Sequence, residues 1–308
     1  MTLALHYALR SDVGLLREGN EDSAYAGPHL LVIADGMGGH AAGEVASAVA
    51  VSAIAPLDHQ NLHDSEEMLS ALANAVASAS NTLHDMTLAD PSTEGMGTTL
   101  TAMLWSGSQI AMCHIGDSRA YMLRDGDFFQ ITRDHTLVQS LVDEGRLTPA
   151  AAATHPQRSL VMRALQSSTD ADPDLGMREA LIGDRYLLCS DGLSDVVTEQ
   201  TLHKTLISYP DPEQAVLQLI DLVAQPASRR HRGSGQFGHP QFAAGSLRQL
   251  HEYLVLRLSH ARLGLEALVD LPVQDRRDGQ EVLPCPQLAL IQPVRLVHGG
   301  ILAFVVQT

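Results

Sequence analysis

The alternation of apolar and polar positions divides the chain into short strands and amphipathic helices. His6 to Val13 alternates loosely and predicts a first strand. Leu30 to Ala34 is an unbroken apolar run, too short for an isolated helix, and predicts a buried strand ending on Asp35 and a glycine-rich turn. Helices are predicted over Ala41 to Ala55, stopping at Pro56, and over Ser65 to Ala89. In the second, Met68, Leu69, Leu72, Val76 and Leu83 share one face. From Gly97 the period changes to two. Thr98 to Trp105, Gln109 to His114, Arg119 to Arg124 and Phe128 to Thr132 predict four strands joined by short turns, hence an antiparallel meander rather than a parallel sheet with helical crossovers. Short helices follow at Leu137 to Glu144 and Pro149 to Ala153, then an extended piece at Asp174 to Arg178. Tyr186 to Ser190 is a second buried strand ending on Asp191-Gly192, and helices are predicted at Glu199 to Ile207 and Pro212 to Val223.

Two strands thus each present an Asp-Gly at an open end. Asp-Gly is an ordinary turn dipeptide, so two plain turns are one reading. The other is a hard divalent cation held by carboxylates on rigid strands, with glycine permitting close backbone approach. The segment Arg17-Glu18-Gly19-Asn20-Glu21-Asp22-Ser23 is open in the same way. It is either a solvated turn, or Arg17 grips an anion while Glu21 or Asp22 supports a metal through water.

The net charge of −16 argues against nucleic acid or anionic membrane as the main partner. It suits a carboxylate cluster around metal. Cys113, Cys189 and Cys285 lie far apart, with no C-x-x-C, so neither a zinc site nor a disulfide framework is expected. With no signal-peptide pattern and no long apolar span, a cytoplasmic setting is the expectation; a monomer is expected as well. The charge is unevenly spread. Residues 1–225 hold 11 Lys+Arg against 30 Asp+Glu, whereas residues 226–308 hold 9 against 6, and those basic residues are all arginine. Pro226 to Phe242 has no periodicity and reads as loop; Leu247 to Leu265 predicts a helix and Ile301 to Val306 a strand.

Six motifs stand in one order: Asn20-Glu21-Asp22; Asp35-Gly36-Met37-Gly38-Gly39-His40 with Gly43-Glu44; Gly97-Thr98-Thr99; His114-Ile115-Gly116-Asp117-Ser118-Arg119; His155 to Leu160; and Ser190-Asp191-Gly192-Leu193. In order and spacing they resemble the bacterial metal-dependent Ser/Thr protein phosphatases of the type 2C family, over about residues 5–224. The resemblance implies an α+β fold, a four-layer αββα sandwich of two antiparallel sheets flanked by helices, with two or three Mn2+ or Mg2+ ions at one end. It implies that Asp35 bridges two metals, Gly36 lends its carbonyl oxygen and Asp191 binds one metal. Asp117 and Asp191 match ligands of a third, weaker metal with Ser159 as a neighbour. Glu21 matches an outer group orienting water, Arg17 the holder of the substrate phosphate, and His40 a proton donor to the leaving group. The implied activity is hydrolysis of phosphoserine and phosphothreonine, without a phosphoenzyme, on phosphorylated proteins including Ser/Thr kinases.

One family motif is missing. The Asp of Gly-x-Asp-Asn should follow the last helix and precede a closing strand, yet the last asparagine of the chain is Asn81 and the aspartate after Asp221 is Asp270. A phosphatase domain over 1–225, incomplete at its C-terminus, and an atypical tail over 226–308 are therefore expected. A change of reading frame near residue 225 and a natural replacement tail both account for this; in the latter, Asp270 or Glu266 would refill the metal position. An unpaired sheet edge is the further expectation. Without the missing ligand, an impaired pseudophosphatase that binds phosphoproteins is the alternative to a working enzyme. Nucleotide binding at Gly36 to Gly43 is set aside because no Gly-Lys-Ser/Thr follows.

Overall fold

Successive side chains of a strand point to opposite faces, and in the strand Leu30–Met37 this splits the apolar run in two. Leu30, Val32 and Ala34 pack beneath two helices, whereas Leu31 and Ile33 pack against a second sheet. The structure is a computed structural model that describes residues 5–12, 20–38, 40–167, 171–224 and 301–308, with only the backbone described at 40, 41, 301–305 and 307.

The chain runs through β1 (His6–Asp12), β2 (Asp22–Ala26), β3 (Leu30–Met37), α1 (His40–Ile54) and α2 (Ser65–Ala89). It continues through β4 (Gly97–Thr98), β5 (Leu100–Ser106), β6 (Gln109–Ile115), β7 (Arg119–Arg124) and β8 (Asp127–Gln130). Then come α3 (Leu137–Asp143), α4 (Pro149–Ala152), β9 (Leu165–Gln166), β10 (Asp174–Glu179) and β11 (Arg185–Cys189). Helices α5 (Asp191–Ser194), α6 (Glu199–Ser208) and α7 (Pro212–Ala224) follow, and β12 (Ile301–Gln307) ends the chain.

One sheet has the order β1-β12-β11-β7-β8; the other has β10-β6-β5-β3-β4-β9, with β2 on the free side of β3. The paired strands are antiparallel throughout. Between the sheets lie Leu31, Ile33, Met103, Trp105, Tyr186, Leu188 and Val306. Outside the second sheet, α1 and α2 bury Val51, Ile54, Met68, Leu72 and Leu83; outside the first, α6 and α7 bury Leu202, Leu206, Val216 and Leu219 against Leu187 and Cys189 of β11. This is the four-layer αββα sandwich. Helix α2 starts where its pattern predicts because the Asp64 carboxylate accepts from the Glu66 and Glu67 amides, at 2.8 and 3.3 Å.

Two expectations need correction. The four strands after Gly97 are not one meander: β5 and β6 form a hairpin in one sheet, β7 and β8 a hairpin in the other. The chain changes sheets at Gly116, whose φ of 111° is open to glycine and where a Cβ would lie 2.6 Å from Thr99. Nor is the first sheet without a closing strand: its edges are β1 and β8, and the gap between β1 and β11 is filled. The strand Ile301–Gln307, beyond the expected boundary at 225, pairs with β1 from His6↔Gln307 to Asp12↔Ile301 and with β11 from Arg185↔Gln307 to Cys189↔Ala303. It belongs to the same compact unit as the rest of the described chain. The predicted helix at 247–265, the arginine-rich stretch and both substitute ligands, Glu266 and Asp270, lie outside the described residues. Among the described residues no helix is long and apolar enough to cross a membrane.

Strand β12 therefore contributes to the core through Val306, which is fully buried between the sheets. Replacing it by Asp places a lone carboxyl there, which must take up a proton to stay. A rise of about 3 pKa units implies a loss of ~4 kcal/mol at neutral pH. Urea unfolding of Val306→Asp should show this loss, and an unchanged midpoint would mean that β12 is not part of the sandwich.

Candidate metal centre

Asp35 sits on the last turn of pleat in β3, and its main chain is held on both sides. Its N–H donates to Thr99 Oγ1 at 2.9 Å, and its carbonyl accepts from the Thr99 amide at 2.8 Å and from Thr98 Oγ1 at 2.9 Å. The following residue, Gly36, has no space for a side chain, since a Cβ there would collide with the Gly43 carbonyl oxygen at the start of α1. Its amide donates to the Glu21 carbonyl at 3.0 Å. The β3 terminus is thus pinned to β4, to α1 and to the segment before β2, and the carboxylate it carries has little freedom of position.

Three further carboxylates face Asp35. Asp22 is its direct cross-strand partner in β2, is almost wholly buried, and accepts from Ser190 Oγ at 2.9 Å. That bond ties the first residue of β2 to the end of β11 in the opposite sheet, one residue before Asp191 opens α5. Asp117 comes from the turn where the chain changes sheets. Burial raises the Asp35 carboxyl well above the usual range, and the charges of Asp22, Asp191 and Asp117 raise it further. Asp117 is pushed up to about 7, first by burial and then by Asp191 and Asp134, with Arg119 acting in the opposite direction. Arg119 is itself gripped by Asp134 through bonds of 3.0, 3.0 and 2.6 Å.

Carboxylates that repel one another in a buried place are stabilised together by a cation, and an all-oxygen donor set suits magnesium or manganese. Among the described residues, no three His, Cys, Asp or Glu side chains converge closely enough to hold an ion by themselves. Water and main-chain oxygen would complete the shell, as is usual for such ions.

Of the site residues expected from sequence, Asp35, Asp117 and Asp191 come together electrostatically, and Gly36 lies at the same strand end. Glu21 is half-buried, with its carboxylate against Gly43. Ser159 is exposed in the turn after α4; its neighbour Arg158 reaches toward Asp195 at 3.8 Å. Arg17 lies outside the described residues, and of His40 only the backbone, as the first residue of α1, is described. The sequence left the choice between Glu21 and Asp22 open and allowed a solvated turn. The structure resolves the burial in favour of Asp22, which is 1% exposed. Its signal was the Asp-Ser-Ala-Tyr-Ala alternation, readable only once β2 is registered against β3.

A sequence profile of the family described as Protein phosphatase 2C matches residues 20–224. The serine/threonine protein phosphatase PstP of Mycobacterium tuberculosis H37Rv is 53% identical over 222 residues, which cover 72% of this chain and 42% of that protein. The chain thus spans under half the length of that relative. The crystal structure of the M. tuberculosis phosphatase PstP/Ppp superposes with a TM-score of 0.70 at 52% identity, covering 72% of this chain and 93% of that one. A structure of the PstP catalytic domain in complex with two manganese ions gives a TM-score of 0.66 at 50% identity, covering 72% and 92%.

The carboxylate repulsion has a pH signature. Asp35 and Asp117 have folded pKa values above their unfolded ones, so their contribution to stability is present below about pH 4. It is lost as pH rises through the folded values, for Asp117 about 7. In chelator, Asp35→Asn should therefore melt higher than the wild type at pH 8, with the gap closing toward pH 5; each unit of elevation relieved is worth ~1.4 kcal/mol. Thermal melts across this range check it, and a gap that stays constant or widens on acidification contradicts it.

Proposed function

The chain belongs to the protein phosphatase 2C family, and on that premise we propose that it hydrolyses phosphoserine and phosphothreonine on proteins with the help of bound Mn2+ or Mg2+. The observation that carries this reading is that the Asp22–Asp35 register, the Ser190 bond to Asp22 and the Thr99–Ser118 contact bring the end of β3, the residue before Asp191 and the turn holding Asp117 to one place, where burial and the charges of Asp191 and Asp117 raise the Asp35 carboxyl. In this reading Asp35 and Asp191, with the Gly36 carbonyl oxygen, would hold the pair of ions. Asp117 would hold a third, weaker ion together with Asp191, and Ser159 would be its neighbour. Glu21 orients water, Arg17 holds the substrate phosphate in its planar fork, and His40 returns a proton to the leaving oxygen. What such ions supply is acidification of water and neutralisation of phosphate charge at neutral pH. The chain's part is to hold its carboxylates rigidly and nearly dry, through the Thr98 and Thr99 bonds to Asp35 and the Ser190 bond to Asp22.

Cys113 and Cys189 are buried, and burial pushes both thiols up to about 12, which supports their being core residues rather than nucleophiles. These free buried thiols also fit a cytoplasmic setting. The substrates we propose are phosphorylated proteins, Ser/Thr kinases among them, acted on by a monomer. The absent Gly-x-Asp-Asn favours a second reading, a phosphoprotein-binding module with impaired turnover.

A phosphothreonine peptide assay on the purified full chain separates the two. Turnover that requires manganese, stops in chelator and falls by roughly 100-fold or more in Asp35→Asn supports the enzyme, since losing a ligand of this kind removes several kcal/mol of charge stabilisation. Folded wild-type chain that is no more active than the variant supports the binding module.

A further inference from the structure

We propose that His135 is a positioning residue for Asp117: its ring, fixed in one tautomer by Asp174, clamps the Gly116 peptide and so sets the aim of the Asp117 carboxylate. The inference rests on the reading that Asp117 binds a divalent ion.

The turn Gly116-Asp117-Ser118-Arg119 is held at both ends by two consecutive residues. Asp134 grips the Arg119 guanidinium. His135 bonds the Gly116 peptide twice: its amide donates to the Gly116 carbonyl at 2.8 Å, and its ring Nδ1 accepts from the Gly116 amide at 3.1 Å. An acceptor Nδ1 places the ring proton on Nε2, which stands 3.1 Å from Asp174 Oδ2 and can donate to it. Arg163 opposes this assignment, because its NH1 lies 3.0 Å from the same Nε2 and would prefer an acceptor there. Arg163 also donates to Asp174 Oδ1 at 3.0 Å. Asp174 and Gly116 favour one tautomer and Arg163 the other, so Asp174 decides the balance. The residue is 7% exposed, and its ring lies 4.9 Å from the neighbouring His114 ring and is kept neutral by burial.

Residues that orient a metal ligand from behind typically change metal affinity by about 10- to 100-fold. Because Asp134 also restrains the turn, we expect the lower end. Asn at 135 offers its side-chain oxygen where Nδ1 stands, whereas Gln places its amide where Nε2 stands. His135→Asn should therefore keep the Gly116 acceptor and His135→Gln should lose it. Asp174→Leu leaves Arg163 alone beside Nε2, turns the ring to the other tautomer and should match His135→Gln.

The experiment is calorimetric manganese titration of the full-length chain, with Asp117→Asn identifying the binding event to follow and thermal melts run in parallel. The expected result is about tenfold weaker binding in that event for His135→Gln and Asp174→Leu, with His135→Asn within about threefold of wild type. If both substitutions at 135 lower the melting midpoint alike and weaken manganese alike, His135 is only packing and the proposal is overturned. It is overturned too if His135→Gln folds and binds as the wild type does while Asp117→Asn removes the event. If Asp117→Asn changes no binding event, the reading of Asp117 as a ligand fails first, and the positioning role fails with it.

Discussion

The constraint on which the structure depends is that like-charged groups, two of them buried and two half-buried, must be held together. Asp35, Asp22, Asp191 and Asp117 come from both sheets and from the turn between them, and the last three each raise the energy of ionising Asp35. No local sequence preference would assemble such a group. It is imposed by strands that cannot slip, because a one-residue change of register would exchange the inter-sheet and helix-facing sets of side chains in β3 and β11. The apolar layers therefore do more than stabilise the fold: they supply the rigidity against which the carboxylates are pressed.

The bonds around the centre follow from the same constraint. Thr98 and Thr99 satisfy the Asp35 peptide where β4 passes into β5, and Thr99 continues to Ser118 through a hydroxyl contact of 2.8 Å. Ser190 links the two sheets through Asp22. Asp134 and His135 hold the sheet-changing turn from its other side. These contacts join residues far apart in sequence, so the centre is specified only when both sheets are in place. The closing strand β12 lies between β1 and β11 and holds β11, the strand that leads to Asp191, from one side.

What was legible in the sequence was whatever repeats locally. The apolar run before Asp35, the long face of α2 from Met68 to Leu83 and the run before Asp191 each carry a period that a short window detects. The Asp-Gly pairs at two strand ends were legible as candidate ligands for the same reason. The rest depended on pairing across distance. Strand β2, reading Asp-Ser-Ala-Tyr-Ala, has small and polar residues that look like a turn until Asp22 is set opposite Asp35. The four strands after Gly97 looked like one meander because a short turn does not encode which sheet comes next. A strand at Ile301 to Val306 was foreseen, but its place between β1 and β11 was not, since nothing near it in the chain specifies its neighbours.

The central claim is that these carboxylates are gathered to hold divalent metal. Anomalous diffraction at the manganese edge, from crystals of the full chain grown with manganese, tests it most directly. The account predicts anomalous peaks in contact with the carboxylates of Asp35 and Asp191. Well-ordered Asp35 and Asp191 side chains with no manganese peak between them would contradict it.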